Sequence, residues 1–419
     1  MIKIFFKFSF IVFLNFVFII YSLEILTSIF IMDRQVIQNH NEMLQEAKKN
    51  KELDTRGDFE AFIEERKKFD LHPVFRQNQN FFHDDDLNDY FQNFILQSFN
   101  DKKKIPFRGP FNKFSLGSNE EGVREIITND KYGYVNFNEV YDKNIDILII
   151  GDSMAEGLPF DNNDNISGVI NKKTNFNSIN LGIGGSGPLT SLGVLKEYGK
   201  YFKPKNIIYL FFEGNDLADL LREKDTFLVN YVNNNFNQDL FNSTAELELF
   251  YKDYENLFNK ILPKLLQKEN ELKNKPIMMI DNKINFKEKL KDILELQSLK
   301  KIMIPQDYYL YKKEMIDYKL FEKILLQMNS ETRRWNGKFY FVYLPDWNRY
   351  NMNFSLSHNL LKKKIMKINE KNKFNFIDID REFKKRNYDN INIFNNSLYG
   401  HYTKKGFEII SDVIIEKIN

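Results

Sequence analysis

The chain has no cysteine. Disulfides, thiolate nucleophiles, zinc-thiolate sites and iron–sulfur clusters are therefore excluded, while the compartment stays open. Histidine is scarce as well, with 5 among 419 residues. A field of one sign is also missing: 60 Lys and Arg face 58 Asp and Glu, a formal charge of +2. That is too little to concentrate nucleic acid, which is set aside as a partner. No internal repeat period is visible, so a solenoid is not expected. The run His83-Asp-Asp-Asp86 resembles a metal site only on paper, because consecutive residues cannot all point at one ion. It is expected to be a solvated loop, and neither a metal nor a cofactor is expected.

What is present suits a folded globular protein: 42% hydrophobic and 28% charged residues. The length allows one large domain with additions, or two to three domains. Lys-rich runs such as Lys362-Lys-Lys364 are spaced by Leu361, Ile365 and Ile368, the pattern of an amphipathic helix with a solvated basic face.

The N-terminus carries a targeting signature. Phe8 to Leu23 is nearly unbroken apolar and aromatic sequence, preceded by Lys3 and Lys7 without an acid. Residues 1–32 are a membrane anchor or a signal segment. No Ala-x-Ala pattern follows, and the apolar stretch reaches Met32 if Glu24 is tolerated near the interface, which favours an uncleaved anchor. The preceding lysines place the N-terminus in the cytoplasm and everything after Asp33 on the far side, periplasmic or at the cell surface.

Residues 33–144 read as linker helices and an N-terminal extension. Between Asn112 and Tyr141 the pattern predicts short strands at Ile126-Ile127 and Tyr134-Val135, separated by turn residues Asn129, Asp130 and Gly133. From Ile145 the character changes to buried-strand runs: 145–150, 178–181, 206–212, 338–344 and 374–379. Amphipathic stretches lie between them at 189–201 and 355–370, with a last one at 404–418. Strand–helix alternation predicts an α/β fold, a mostly parallel sheet with helices on both faces, over residues 145–419. A mainly helical insertion is expected at about 221–335.

In such a sheet the reactive groups belong at the carboxyl ends of strands. Four places qualify: Gly151-Asp-Ser153, Gly182-Ile-Gly-Gly-Ser-Gly187, Gly214-Asn-Asp216, and the loop bearing His401 before the last helix. Singly each reads as a helix cap, a turn or a surface loop residue. As an ordered set they match one chemistry. A serine hydroxyl needs a base to take its proton, and histidine suits that task near neutrality. Acyl attack creates an oxyanion that needs donors already aimed at it. Ser153 and Gly185 offer backbone N–H groups, and Asn215 offers an amide.

These blocks resemble the SGNH subgroup of the GDSL hydrolases. Gly151-Asp-Ser-Met154 resembles the nucleophile block, which implies that role for Ser153. Asn180-Leu-Gly-Ile-Gly-Gly-Ser-Gly187 resembles the glycine block and implies Gly185 as an oxyanion donor. Glu213-Gly-Asn-Asp-Leu217 gives Asn215, and Gly400-His-Tyr-Thr-Lys-Lys-Gly406 gives His401 as base. The resemblance implies a flavodoxin-like three-layer sandwich. The family's usual aspartate three residues before the histidine is Leu398 here. The orienting group is left open among Asp378, Asp380, Asp389 and a backbone carbonyl.

The segments Leu53 to Phe75 and Phe212 to Leu217 also resemble anchored bacterial members linked to surface polysaccharides. That resemblance implies an exported carbohydrate carrying O-acyl, foremost O-acetyl, groups as substrate, with water or another hydroxyl as acceptor. A lipase or thioesterase of the same fold, and a non-catalytic glycan-binding or scaffolding module, are the alternatives.

Overall fold

A computed structural model describes residues 2–30, 54, 56–77, 85–119, 124–157, 160–274, 290–291, 293–303, 316–351, 356–388, 393–394 and 401–418. Nine strands are present among them. Two antiparallel pairs precede the main sheet: β1 (Phe75–Arg76) with β2 (Arg108–Gly109), and β3 (Phe114–Leu116) with β4 (Ile126–Thr128). Then come β5 (Ile147–Gly151), β6 (Ser178–Asn180), β7 (Asn206–Phe212), β8 (Lys338–Leu344) and β9 (Asn375–Asp378). They form one parallel sheet in the order β6-β5-β7-β8-β9. Renumbered within the sheet this is 2-1-3-4-5, the flavodoxin-like doubly wound order, whose ligand crevice lies where the order reverses, beside β5.

The inner strands β5, β7 and β8 are apolar along most of their length because both faces are covered. Alternation with a period of two sorts them into two cores. Leu148, Ile150, Ile207, Tyr209, Phe211, Phe341 and Tyr343 face one way. They meet Leu189, Leu192 and Leu195, the helix Tyr318–Arg333 through Phe321, Ile324 and Leu325, and residues of the extension such as Phe75, Phe91 and Phe107. Ile147, Ile149, Ile208, Leu210, Val342 and Leu344 face the other way, onto Ile166, Ile170, Phe383 and the last helix, Lys404–Ile418, through Phe407, Ile410 and Ile414. Between residues 221 and 335 the described chain is helical, chiefly Thr244–Asn274, Gln297–Met303 and Tyr318–Arg333.

Two sequence expectations are corrected. Tyr134-Val135 is not a strand, and the partner of β4 is Phe114–Leu116. The reason is Asp130, whose buried carboxylate accepts from the N–H groups of Tyr132 (2.8 Å) and Tyr134 (2.9 Å) and from Asn136 Nδ2 (2.8 Å). These bonds wind the chain into turns where a ladder would need it extended. Asp85 and Asp86, expected in a loop, open the helix Asp85–Asn100, while His83 lies outside the described residues. Leu87, Phe91 and Ile95 at every fourth position bury one face.

The Lys362 to Lys364 run lies on the helix Leu356–Asn372, with Leu361 and Ile365 buried and Lys363 and Lys364 exposed. Lys362 turns inward to Asp378 (2.8 Å) and Asp380 (2.7 Å). The N-terminal helix Ile2–Phe30 includes one stretch, Phe6–Thr27, long and apolar enough to cross a membrane by length and composition. Its one acid, Glu24, is buried and accepts from the N–H groups of Ser298 (2.7 Å) and Leu299 (2.8 Å) at the start of the Gln297–Met303 helix.

Candidate active site

β5 delivers the chain to the crevice, and Asp152 starts a single helical turn, Ser153–Glu156, by accepting from the Met154 N–H at 2.9 Å. This turn leaves Ser153 at the sheet's carboxyl edge. The loop before the last helix brings His401 to the same place, and its Nε2 lies 2.8 Å from Ser153 Oγ across 248 residues of sequence. That is hydrogen-bond distance for proton transfer. Tyr402 fixes the loop behind the imidazole: it is fully buried, its hydroxyl donates to Pro345 O (2.6 Å), and its ring stacks on Phe394.

The glycine loop lies against the serine turn. Asn180 closes its base, accepting from Gly182 N–H (2.8 Å) and donating through Nδ2 to Glu156 O (3.1 Å). A Cβ added at Gly182 would lie 2.3 Å from Glu156 N, so only glycine permits this approach. Ile183 N–H donates to Gly151 O (3.0 Å), tying the loop to the end of β5. Gly185 differs from its neighbours: its φ is +72°, and a Cβ there would meet nothing within 4 Å. It faces open space in a conformation that favours glycine.

Asn215 occupies the N-cap position of the helix Asp216–Glu223 after β7 without a side-chain bond to it, and its side chain bonds the Asp152 carboxyl. Asp152 thereby joins the asparagine, the serine turn and, at 3.4 Å, the Ser153 hydroxyl. Burial pushes the Asp152 carboxyl up to about 6, against the opposing pull of the Met154 N–H, His401, Ser153 and Asn215. Burial, with the neighbouring Asp152 charge, raises Asp216 well above the usual carboxylate range.

Of the carboxylates weighed as orienting groups for His401, Asp378 and Asp380 are engaged by Lys362, and Asp380 also by Tyr350 (2.7 Å) and Lys384 (2.9 Å). Burial opposes Asp380's ionisation, but these donors outweigh it and hold the group down to about 2. Asp389 and Leu398 lie outside the described residues. The remaining described histidines serve elsewhere. His72 is buried against Glu255 at 2.8 Å, and His358 is buried 3.4 Å from Asp346.

Sequence reasoning missed four charged groups around the glycine loop. Glu156 is 1% exposed and accepts from Gly184 N–H, from Arg76 (2.8 Å) and from Arg108 (2.9 Å). At the loop's other end Glu223, fully buried, accepts from the N–H groups of Gly187 (2.7 Å) and Leu189 (2.8 Å) and from the Thr190 hydroxyl. The only signal in the sequence was an acid placed inside an otherwise apolar turn directly after the serine.

No family model and no curated protein matches the chain. Among solved structures it is similar to a protein assigned to the G-D-S-L lipolytic family from Desulfitobacterium hafniense DCB-2, at 11% identity over 65% of this chain and 98% of that one, TM-score 0.33. It is also similar to TesA, at 9% identity over 65% and 97%, TM-score 0.35. The five-stranded sheet has the flavodoxin-like 2-1-3-4-5 order, and the serine, glycine, asparagine and histidine blocks all follow its strands or precede the last helix.

Proposed function

We propose that this chain is a serine esterase or O-acyltransferase that works through an acyl-serine intermediate, with Ser153 as nucleophile and His401 as base. The observation that carries the reading is the 2.8 Å approach of His401 Nε2 to Ser153 Oγ. In the proposed reaction His401 takes the hydroxyl proton as Oγ bonds to the ester carbonyl carbon, and the carbonyl electron pair moves onto oxygen. The Ser153 and Gly185 N–H groups and the Asn215 amide receive that oxyanion. Collapse breaks the ester C–O bond, and His401 returns its proton to the departing alkoxide. Water or an acceptor hydroxyl then repeats the sequence on the acyl-serine.

An O-acetylated exported carbohydrate is the substrate class we favour, by the resemblance to anchored proteins linked to surface polysaccharides. The apolar N-terminal helix, acting as an anchor with the body on the far side of the membrane, supports it.

An activity-based fluorophosphonate probe, applied to the wild type and Ser153→Ala, tests the nucleophile. Labelling of the wild type alone is expected; equal labelling would remove Ser153 from the role. Hydrolysis of aryl esters across chain lengths tests the substrate class. A short-chain optimum is expected, a long-chain optimum would shift the reading to a lipase or thioesterase, and no turnover with no labelling would shift it to a binding module.

A further inference from the structure

The glycine loop is held in place by a part of the chain far from the catalytic blocks. Glu156, three residues after Ser153, is buried, and its Oε2 accepts from the backbone N–H of Gly184, next to Gly185. A buried carboxylate is ordinarily driven toward its neutral form. Here burial is overcome by Arg76 and Arg108, with help from the Gly184 N–H, and Glu156 is held down to about 2. Both arginines come from the paired strands β1 and β2, where Arg76 lies opposite Arg108. Arg108 is itself 2% exposed, and its Nη1 N–H groups donate to Asn129 Oδ1 and Gly133 O. Its charge is therefore aimed at Glu156 by a guanidinium whose three nitrogens all donate.

We infer that Arg76 and Arg108 act through Glu156 as positioning residues for the Gly185 N–H, so that the extension before β5 forms part of the catalytic machinery. This rests on the esterase reading above. A carboxylate that stays ionised keeps accepting from Gly184 N–H at every pH at which the enzyme would work, which pins one end of the loop. A neutral carboxyl has a hydroxyl to place and holds that N–H less tightly. Gly184 is bonded inward, and beside it Gly185, at φ +72°, has open space where a side chain would lie; the esterase reading assigns its N–H to the oxyanion. An oxyanion donor acts through its aim, and losing one typically lowers kcat about 100-fold or more.

The test uses the full chain and para-nitrophenyl acetate. Glu156→Gln should lower kcat on the order of 30- to 100-fold with KM within about twofold, since the donor acts on the transition state. Arg76, a quarter exposed and less tied to folding, supplies the second variant. Arg76→Gln should lower kcat about 10-fold, and Arg76→Lys should recover most of it. Rates are taken per folded molecule, with folding followed by circular dichroism. A purely structural role would lower the melting temperature and leave kcat per folded molecule unchanged, which would overturn the inference. Hydrogen exchange of the peptide covering 182–187 separates this from failure of the esterase reading. If the wild type turns over no ester, faster exchange in Glu156→Gln keeps the clamp and discards the reaction. Unchanged exchange discards both.

Discussion

The two ends of the glycine loop are held by buried carboxylates under opposite electrostatic regimes. Glu156 grips Gly184 while facing two guanidinium groups, and its charge is locked on. Glu223 grips Gly187, Leu189 and Thr190 with N–H and hydroxyl donors, and burial raises its carboxyl above the usual range despite them. The same side chain, equally buried, is held below the ordinary carboxylate range at one end and above it at the other. At Glu156 the two guanidinium groups outweigh burial, whereas the N–H and hydroxyl donors named at Glu223 offset only part of the cost of desolvating its charge.

The largest expected effect that bears on this contrast is Arg108→Ala. Removing one partner of a buried pair typically costs about 3–5 kcal/mol, and urea denaturation should show a loss in that range. A loss under about 1 kcal/mol would mean that the Glu156 end relies on its guanidinium groups no more than the Glu223 end does on its donors. Next is pH. Glu156 has a folded value below its ordinary 4.5, so its contribution is present above 4.5 and is lost as pH falls toward about 2. That gap corresponds to on the order of 3 kcal/mol. Glu223 has the opposite sign: its raised value favours the fold at low pH, a contribution lost as pH rises through the folded value. Thermal melts between pH 2 and 6 should therefore fall less steeply with acid for Glu156→Gln than for the wild type, and parallel curves would refute the locked charge.

Gly182→Ala should cost about 2 kcal/mol, because its Cβ meets backbone at 2.3 Å and must force the serine turn away. Gly185→Ala should cost only about 1 kcal/mol, the strain of its positive φ, yet should lower ester hydrolysis by blocking the open side. If Gly185→Ala destabilised more than Gly182→Ala, the division of the loop into a packed base and an open tip would be wrong.

Much of the fold was legible because the five sheet strands are short apolar runs ending at turn residues, and a strand buried on both faces leaves no other pattern. The serine, asparagine and histidine blocks were readable because each follows a strand or precedes a helix. The histidine's nearness to the serine was not, since 248 residues separate them. Tyr134-Val135 looked like a strand because its aromatic and β-branched pair suits one, while the overriding signal was Asp130, whose bonds are invisible without coordinates. Arg76 and Arg108 escaped notice for a similar reason. A charged residue in a sequence reads as solvated unless its partner is adjacent, and theirs lies 80 and 48 residues away.

The Glu24 carboxylate, seated on the N–H groups of Ser298 and Leu299, links the apolar N-terminal helix to the helix Gln297–Met303. A peptidase cutting behind the apolar helix would carry that carboxylate away and leave a short helix uncapped. An uncut chain keeps the two helices bonded to each other. Processing of this N-terminus would then act on folding as well as on address, and maturation by cleavage would carry a cost that a plain leader peptide does not impose.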